Sequence, residues 1–387
     1  MRSVSVIGIG ETKIGRFPDK SLRELLLAAG SKAIDDAGIG REEVEALFMS
    51  NYNAQSFSGQ GHLGPLTAEV LGLGNIPTLR VEGACASGSL AFRQGLHAVA
   101  TGLYDVVLVG GVEKMTHQST EAVTAGLAGA SDIDLEAGLG ATFPSIFAMI
   151  ANRYFHEFGN VRHEMALCAV QNHENALLNP DAQLQKRITV EQVKNGVSIA
   201  SPFTIYDCSL VSDGSAFVVL AATDVAKDVC RKRLVEVVGC GQAGDTLTLG
   251  SKRSLTTFDA TVLAAKQAYV MAGIRPSQID LAEVHDCFTI TQIINSEDLG
   301  FFAKGTGAYA LAEGKTALHG EIPINVSGGL KAKGHPIGAT GLCQIYEIVT
   351  QLRGEGGARQ LKKADIGLTH NIGGTAATCV VSIFRGR

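Results

Sequence analysis

The sequence predicts an α/β protein with five layers, α-β-α-β-α, made of two similar halves with a domain inserted into the first half. Three observations support this prediction. The chain has 387 residues, more than the roughly 250–300 at which one hydrophobic core stops growing. Apolar, strand-like segments alternate with segments of helical periodicity. Five such elements recur in the same order along the two halves of the chain.

The internal repeat defines the elements of each half. The matched pairs are residues 4–10 with 235–241, 33–44 with 268–279, 84–88 with 337–341, 105–111 with 365–371, and 216–220 with 379–383. Each half therefore reads strand, helix, strand, helix, strand, strand. The separation is 260 residues for the fourth pair and 163 for the fifth, so about 97 extra residues lie between these elements of the first half.

These offsets predict the domain boundaries. The N-terminal half covers residues 1–116 and 207–230, the inserted loop domain covers 117–206, and the C-terminal half covers 231–387. Continuous apolar strands separated by helices are typical of sheets that are covered on both faces. Two such halves side by side bury a helix layer between them, which gives the five layers.

Composition and charge exclude several classes of protein. With 45% hydrophobic and 18% charged residues, the chain is globular, not disordered. The net charge is −5 and the only run of three basic residues is Arg231-Lys232-Arg233, so we expect no nucleic-acid or membrane surface. The apolar runs are far shorter than the ~20 residues of a spanning helix.

The eight cysteines have no paired spacing, which predicts reduced thiols and a cytoplasmic protein. No Cys-x-x-Cys pair and no closely spaced histidine pair occurs, so no metal site and no cofactor are predicted. A strand-like segment begins at residue 4, which leaves no room for a secretory signal. The last strand lies close to the final residue, so we expect no further domain behind it.

Cys85 is the candidate nucleophile. It follows the strand-like residues 77–82 and precedes a helical run, so it lies at a helix start among small neighbours that allow a carbonyl to approach. A helix terminus contributes about 0.3–1 kcal/mol, less than the ~1.36 kcal/mol of one pKa unit. The thiol therefore needs a base. The competing interpretation is a small cysteine that only packs at a turn.

Two histidines are the candidate partners of Cys85. His335 lies in a glycine-rich loop that enters the helix matching the Cys85 helix, so pseudo-symmetry brings the two helix starts together. His285 follows the strand-like residues 279–283, at the carboxyl end where open α/β sheets bind ligands. Cys287 lies two residues further on. Taken singly, each histidine is better explained as an ordinary core or surface residue; the convergence with Cys85 through the repeat favours a functional role.

With these motifs the chain resembles the thiolases over nearly its whole length, and most closely the sterol-carrier-protein type and the related archaeal and bacterial acetyl-CoA acetyltransferases. The resemblance rests on Gly-Ala-Cys-Ala-Ser-Gly at 83–88, His-Asp-Cys-Phe at 285–288, Gly-His-Pro at 334–336 and Asn-Ile-Gly-Gly at 371–374. It implies the five-layered thiolase fold with a loop domain over the acyl-CoA, and a dimer built through the first halves.

One departure concerns the second catalytic thiol. The better-known thiolases have Asn-Glu-Ala-Phe where this chain has residues 285–288, and a cysteine where this chain has Asn371. Cys379, eight residues later, does not fill that role. In the sterol-carrier type the missing thiol comes from the His-Asp-Cys-Phe motif, so the resemblance gives the acid/base role to Cys287. We expect the six cysteines other than Cys85 and Cys287 to serve only packing.

The resemblance implies a reversible Claisen condensation through an acyl-enzyme on Cys85, with acetyl-CoA C-acetyltransferase activity favoured. His285 and His335 bind the enolate oxygen, and the backbone N–H groups of Cys85 and Gly373 hold the tetrahedral intermediate. The alternatives are a 3-oxoacyl-CoA thiolase for longer chains, a thiolase-like retro-aldolase and an acyl-CoA-binding subunit. The implied partners are CoA thioesters, a second copy in a homodimer or a dimer of dimers, and a zinc-ribbon/oligonucleotide-fold protein.

Residues outside these motifs leave further questions open. Residues 141–149 of the insertion are compatible with a pocket roof and with a plain core. Lys331, Lys333 and residues 251–253 are either contacts for CoA phosphates or solvated surface, with surface favoured. The residues that bind CoA are therefore not assigned.

Overall fold

The computed structural model describes residues 2–387; Met1, the first residue of the predicted N-terminal half, lies outside them. The strands are β1 (Val4–Glu11), β2 (Ala46–Ser50), β3 (Thr78–Val81), β4 (Val106–Glu113), β5 (Ser198–Ala200), β6 (Phe203–Thr204), β7 (Gly214–Ala222), β8 (Val235–Gly244), β9 (Leu281–Glu283), β10 (Ile366–Gly373) and β11 (Thr378–Gly386). The helices are α1 (Leu22–Ala37), α2 (Ala54–Ser58), α3 (Leu63–Leu71), α4 (Ser87–Ala100), α5 (Thr120–Ala128), α6 (Phe143–Phe158), α7 (Arg162–Leu177), α8 (Val190–Lys194), α9 (Thr223–Val229), α10 (Asp259–Ala272), α11 (Thr289–Asp298), α12 (Gly307–Ala312), α13 (Gly329–Ala332) and α14 (Thr340–Arg353).

The large sheet has the order β3-β2-β4-β7-β1-β8-β11-β10-β9. In the first half β2, β3 and β4 are parallel, and β7 pairs antiparallel with β4 and β1. The second half repeats this pattern, with β9 parallel to β10 and β11 antiparallel to β10 and β8. The halves join where β1 meets β8, through Ser5 opposite Glu236 and Val6 opposite Val235. The short edge strand β3 adds one strand to the order that the repeat predicts.

The repeated helices end alike because their sequences end alike. Ser21 caps α1 in a capping box with Glu24, and α1 stops at Gly38, whose φ of +70° is left-handed. In the second half α10 stops at Gly273, with φ of +66°. In both halves the next parallel strand begins nine residues after the helix ends, in agreement with the match of residues 33–44 with 268–279.

Five layers are present, as predicted. Helix α1 packs on the outer face of β1 and β7, and α10 packs on the outer face of β8 and β11. Between the two sheet halves α4 and α14 contact each other. Gly88 allows this close approach, since a Cβ there would lie 3.0 Å from the Gly341 amide nitrogen. The two helix starts that carry Cys85 and His335 therefore meet at backbone distance.

The segment between β4 and β7 contains α5, α6, α7 and α8 with the small sheet of β5 and β6. It packs on the second half: Phe147 and Phe203 stack on Phe288, with ring centroids 4.7 Å and 5.2 Å away. The phenylalanine of the His-Asp-Cys-Phe motif thus anchors this segment over the loop that carries His285 and Cys287. Nowhere in residues 2–387 does a helix combine the length and hydrophobicity needed to cross a membrane.

Candidate active site

Cys85 lies in a single helical turn, residues 84–86, that leads directly into α4. The turn is tight: Ala84 has a left-handed φ of +51°, uncommon for a residue with a Cβ. Ser87 braces it by donating to the carbonyl of Ala84 at 2.6 Å and accepting the Gly83 N–H at 2.9 Å. The predicted position of the cysteine at a helix start is therefore confirmed.

Burial raises the pKa of the Cys85 thiol to about 12, and hydrogen bonds from the Gly374 amide and its own amide offset this only in part. The resting thiol is therefore protonated, as the dipole argument predicts. Gly373 packs against the same turn, since a Cβ there would lie 2.3 Å from the Gly83 carbonyl oxygen. Its oxyanion role stays a prediction; the neighbouring Gly374 is the residue whose amide contacts the sulfur.

His335 is held in one orientation and one tautomer. Its backbone N–H donates to Ser212 Oγ at 2.9 Å, and its Nδ1 lies 2.7 Å from Thr340 Oγ1. Because the Thr340 hydroxyl donates its one proton to the Pro336 carbonyl at 3.1 Å, it accepts a hydrogen bond from His335 Nδ1–H. His335 Nε2 is then unprotonated. Burial lowers the pKa of His335 to about 3, so the ring is a neutral proton acceptor.

His285 has the opposite tautomer. Asn371 Nδ2 lies 3.0 Å from His285 Nδ1, and an amide nitrogen can only donate, so Nδ1 accepts and Nε2 carries the proton. The backbone is fixed as well, because Asn295 Nδ2 donates to the His285 carbonyl at 2.8 Å. Burial, together with His335 and His370, lowers the pKa of His285 well below its usual range. His285 is thus a neutral N–H donor.

The three candidate groups converge as the repeat predicts. One donor atom each from Cys85, His285 and His335 lies within 4.8 Å of the other two. The imidazole rings meet edge to face, with centroids 5.1 Å apart and an interplanar angle of 83°. A thiol, a proton acceptor and a proton donor therefore share one site. The same closeness suits a metal ion, so the absence of a metal site stays a prediction.

Cys287 reaches the same cavity because of its spacing from His285. His285 and Cys287 line the cavity, whereas Asp286 between them points away and accepts the amides of Leu330 and Lys331 at 2.7 Å and 3.2 Å. This alternation is what an extended segment gives. Burial, and next the nearby Cys85, raise the pKa of the Cys287 thiol well above its usual range.

The cavity has a volume of about 380 Å³ and a mostly apolar lining. Its walls come from both halves and from the segment between β4 and β7. Besides the candidate catalytic residues, the lining includes Tyr52, Met115, Leu127, Ala141, Phe143, Phe147, Ile199, Cys208 and Ile337. Residues 141–149 therefore contribute both to the cavity wall and to the core, since Phe147 lines the cavity and also belongs to the core.

Family models match both halves of the chain. The thiolase N-terminal domain model matches residues 4–224, and the model described as thiolase C-terminal domain-like matches residues 241–386. The chain belongs to the thiolase family. Its fold is the five-layered thiolase fold, as the motifs predict.

Three relatives illustrate the similarity. The acetyl-CoA acetyltransferase of Methanothermobacter thermautotrophicus is 48% identical over 99% of this chain and 100% of its own length. Sterol carrier protein 2 of Oryctolagus cuniculus is 32% identical over 99% of this chain and 72% of its own length. Among solved structures, the Ltp2-ChsH2(DUF35) aldolase superposes with a TM-score of 0.85 and 25% identity, covering 98% of this chain and 97% of that one.

The expectation that Lys331 and Lys333 of this thiolase lie at the surface is wrong. Lys331 and Lys333 are only 2% and 4% exposed, so they are neither solvated surface nor placed to meet CoA phosphates at the surface. Lys333 Nζ instead pairs with Glu11 Oε1 at 2.9 Å. In the 251–253 cluster the side chain of Lys252 is buried against Asp245 at 2.9 Å, whereas Ser251 and Arg253 are exposed, as expected of solvated surface. Because Glu11 lies far from Lys333 in sequence, no local signal marks that lysine as buried.

The expectation that the remaining cysteines serve only packing stays a prediction. Cys208 is half-buried and lines the cavity. Cys379 is fully buried in β11, consistent with its exclusion from catalysis.

Sequence reasoning also missed the groups that orient the catalytic side chains: Thr340, Ser212, Gly374 and the amide of Asn371. Asn371 and Gly374 gave a signal, because both belong to the Asn-Ile-Gly-Gly motif and Asn371 replaces a cysteine of the better-known thiolases.

Proposed function

We propose that this thiolase is an acetyl-CoA C-acetyltransferase that condenses two molecules of acetyl-CoA to acetoacetyl-CoA, reversibly, through an acetyl group on Cys85. One observation carries the proposal: the Cys85 sulfur and one nitrogen of each of the His285 and His335 rings lie within 4.8 Å of one another at an apolar cavity. The acetyl-CoA acetyltransferase relative, 48% identical over its full length, supports the choice of substrate.

In the first half-reaction His335 Nε2 takes the Cys85 proton while the sulfur attacks the thioester carbon. The amides of Cys85 and Gly373, beside that of Gly374, stabilise the tetrahedral oxyanion. The carbon–sulfur bond to CoA then breaks, and the leaving CoA thiolate takes the proton of Cys287. This leaves acetyl-Cys85, a Cys287 thiolate and a protonated His335.

The environment favours forming these two charges together. Burial raises the pKa of Cys287 and lowers that of His335, so each charge alone is unfavourable. Opposite charges that appear in one step, in the same dry cavity, compensate each other. The Cys287 thiolate and the protonated His335 therefore form together during acyl transfer, and the resting enzyme carries neither charge.

In the second half-reaction the Cys287 thiolate removes an α-proton from a second acetyl-CoA. His285 Nε2–H and protonated His335 donate to the enolate oxygen. The carbanion attacks acetyl-Cys85, the carbon–sulfur bond breaks, and Cys85 recovers its proton from His335. The groups return to their starting protonation states.

Acetylation of Cys85 tests the proposal directly. Incubated with acetyl-CoA, the wild-type protein should gain one acetyl group on the Cys85 peptide, detected by mass spectrometry. Cys85→Ser should remain folded and lose turnover. Cys287→Ala should acetylate Cys85 more slowly, because the leaving CoA thiolate loses its proton donor, and should form no acetoacetyl-CoA. Undiminished turnover of Cys85→Ser, or no acetylation of the wild-type protein, would overturn the assignment.

A second candidate activity is a retro-aldolase, favoured by the structural similarity to an aldolase. Cys85 argues against it, since carbon–carbon lyase chemistry needs no acyl-enzyme. Two further candidates are cleavage of longer 3-oxoacyl-CoA thioesters and a non-catalytic acyl-CoA-binding role. Acetyl-Cys85 excludes the lyase and the binding subunit, and kcat/KM across acyl lengths separates the two thiolase activities.

For assembly we propose a homodimer or a dimer of dimers, formed through the first halves. The edge strand β3 supports this, because its residues are exposed or half-buried and its outer edge has no strand partner among residues 2–387. The solved aldolase relative contains a DUF35 protein, so a zinc-ribbon/oligonucleotide-fold partner is included in the proposal.

We also propose a cytoplasmic location, supported by eight unpaired cysteines among the described residues. The domain division at residues 116/117, 206/207 and 230/231 is likewise a proposal. It is supported by the helices and small sheet between β4 and β7.

A further inference from the structure

The two catalytic histidines differ in the protonation of Nε2, the ring nitrogen that faces the substrate. His335 offers a lone pair at Nε2 because Thr340 accepts its Nδ1–H. His285 offers a proton at Nε2 because Asn371 donates to its Nδ1. Nothing in an imidazole ring itself fixes this choice. Each role depends on one neighbouring side chain.

We propose that Asn371 is a positioning residue that locks His285 in the Nε2–H tautomer, so that His285 donates to the enolate oxygen in the condensation step. The inference deepens the proposed function and rests on it for the identity of that oxygen. Asn371 does not touch the substrate in this scheme, since it does not line the cavity. It acts through the imidazole that does.

The site requires such a lock because His285 is neutral. Burial and two neighbouring histidines disfavour the imidazolium, which would carry a proton on both nitrogens. A neutral ring has a single proton, so Nε2–H exists only where Nδ1 accepts. The side-chain amide of Asn371 is a strong donor at that atom, whereas the thiol that better-known thiolases have at this position is a weak one.

Close packing holds the Asn371 amide in place. Asn371 is fully buried in β10, where it pairs with Val380 of β11. Its Oδ1 lies against Gly341, where an added Cβ would come within 2.6 Å of it. This oxygen has no hydrogen-bond partner among the described residues. The Nδ2 bond to His285 is therefore the one side-chain hydrogen bond that fixes the amide.

Asn371→Asp inverts the lock with little change in size. A carboxylate can only accept, so neutral His285 must turn its proton to Nδ1 and present a bare Nε2 to the cavity. Loss of one oxyanion donor lowers kcat by about 10²–10³, and the loss should fall on condensation. Acetylation of Cys85, which uses His335, should change by less than about tenfold.

The dependence of the condensation rate on pH distinguishes a positioning role from a merely structural one. In Asn371→Asp the donor returns only when His285 is protonated, so condensation should fall as pH rises through its pKa. Wild-type His285 donates while neutral and should give no such limb. The other titratable groups around His285 are His335, His370, Cys85, Cys287 and Asp286, and all remain in the variant.

Asn371→Leu is the matched control, since it removes the amide without supplying an acceptor. The experiment measures Cys85 acetylation, condensation and the ¹⁵N chemical shifts of His285 for wild type and both variants. We expect the inverted tautomer in Asn371→Asp alone, and a smaller condensation loss in Asn371→Leu. Equal losses in both variants, equal losses in both half-reactions, or an unchanged tautomer in Asn371→Asp would overturn the inference.

The outcomes also separate this inference from the proposed function. If wild-type Cys85 is never acetylated, the proposed function fails, and the ¹⁵N shifts still decide whether Asn371 sets the tautomer. If wild type acetylates and condenses normally while the shifts show no tautomer change in Asn371→Asp, only the positioning role fails.

Discussion

Gly341→Ala should misalign the catalytic residues by separating the two helix starts. A Cβ at Gly341 would lie 2.3 Å from Ser89 Oγ, 2.5 Å from the Ser89 amide nitrogen and 2.6 Å from Asn371 Oδ1. Ordinary van der Waals contact begins at 3.4 Å. The backbone atom cannot rotate away, so α4 and α14 must move apart by about 0.9 Å, and Cys85 moves away from His335.

The expected loss follows from this displacement. A misplacement of about 1 Å in a catalytic constellation costs on the order of 10² in rate, and overpacking costs about 1–3 kcal/mol of stability. Gly88→Ala, on the facing helix, is the matched control, because its Cβ meets nothing nearer than 3.0 Å. It needs a shift of about 0.4 Å, so its rate loss should stay below about tenfold.

The assay is the single-turnover rate of Cys85 acetylation, with thermal unfolding measured in parallel. Gly341→Ala should remain folded, with a melting temperature a few degrees lower, and acetylate about 100-fold more slowly. Equal rates for Gly341→Ala and wild type, or equal losses in the two alanine variants, would refute the argument that the glycine contact sets the catalytic distance.

Three other predictions concern neighbouring groups. Thr340→Val should slow Cys85 acetylation by about 10²-fold because His335 loses the acceptor that fixes its tautomer, whereas Thr340→Ser should not; stopped-flow acetylation decides this. Burial lowers the pKa of His370 to about 3. Below about pH 6.5 the unfolded chain therefore binds a proton that the folded chain does not, and the free energy of unfolding decreases as the pH is lowered. His370→Gln should reduce the loss of unfolding free energy between pH 6.5 and 5 by about 2 kcal/mol, measured in urea; an unchanged loss would contradict it. Lys333→Met leaves Glu11 buried without its partner and should lower the free energy of unfolding by about 3–5 kcal/mol. Adding Glu11→Gln to this variant should restore most of that loss in the same urea assay.

The fold could be predicted because the signals that define it are local and repeated. Gly38 and Gly273 end matching helices, and β1 and β8 begin with matching apolar runs. The edge strand β3 is not part of the repeat. It has only four residues, exposed or half-buried, and lacks the apolar run of the central strands, so only the strand-like character of residues 77–82 predicts it.

The candidate site was predictable only for groups that carry the chemistry. Cys85 and His335 were found because helix starts are visible in sequence and the repeat relates them. Thr340 was not found, although it lies just five residues after His335. Whether a threonine hydroxyl accepts from a ring or caps a helix depends on a rotamer, which no spacing specifies.

The His-Asp-Cys motif and Asn371 are linked by the geometry of an extended chain. Residues two apart face the same side, so one short segment delivers both His285 and Cys287 to the cavity while Asp286 anchors it from behind. Once Cys287 supplies the second thiol, position 371 has no need of one. It is then free to hold a side chain that acts on His285, the residue the same motif introduces. The His-Asp-Cys motif and Asn371 therefore form one coupled change from the better-known thiolases. Exchanging Asn371 alone should leave His285 without the donor that fixes its tautomer. Exchanging the motif alone should leave the Asn371 amide without an imidazole to donate to.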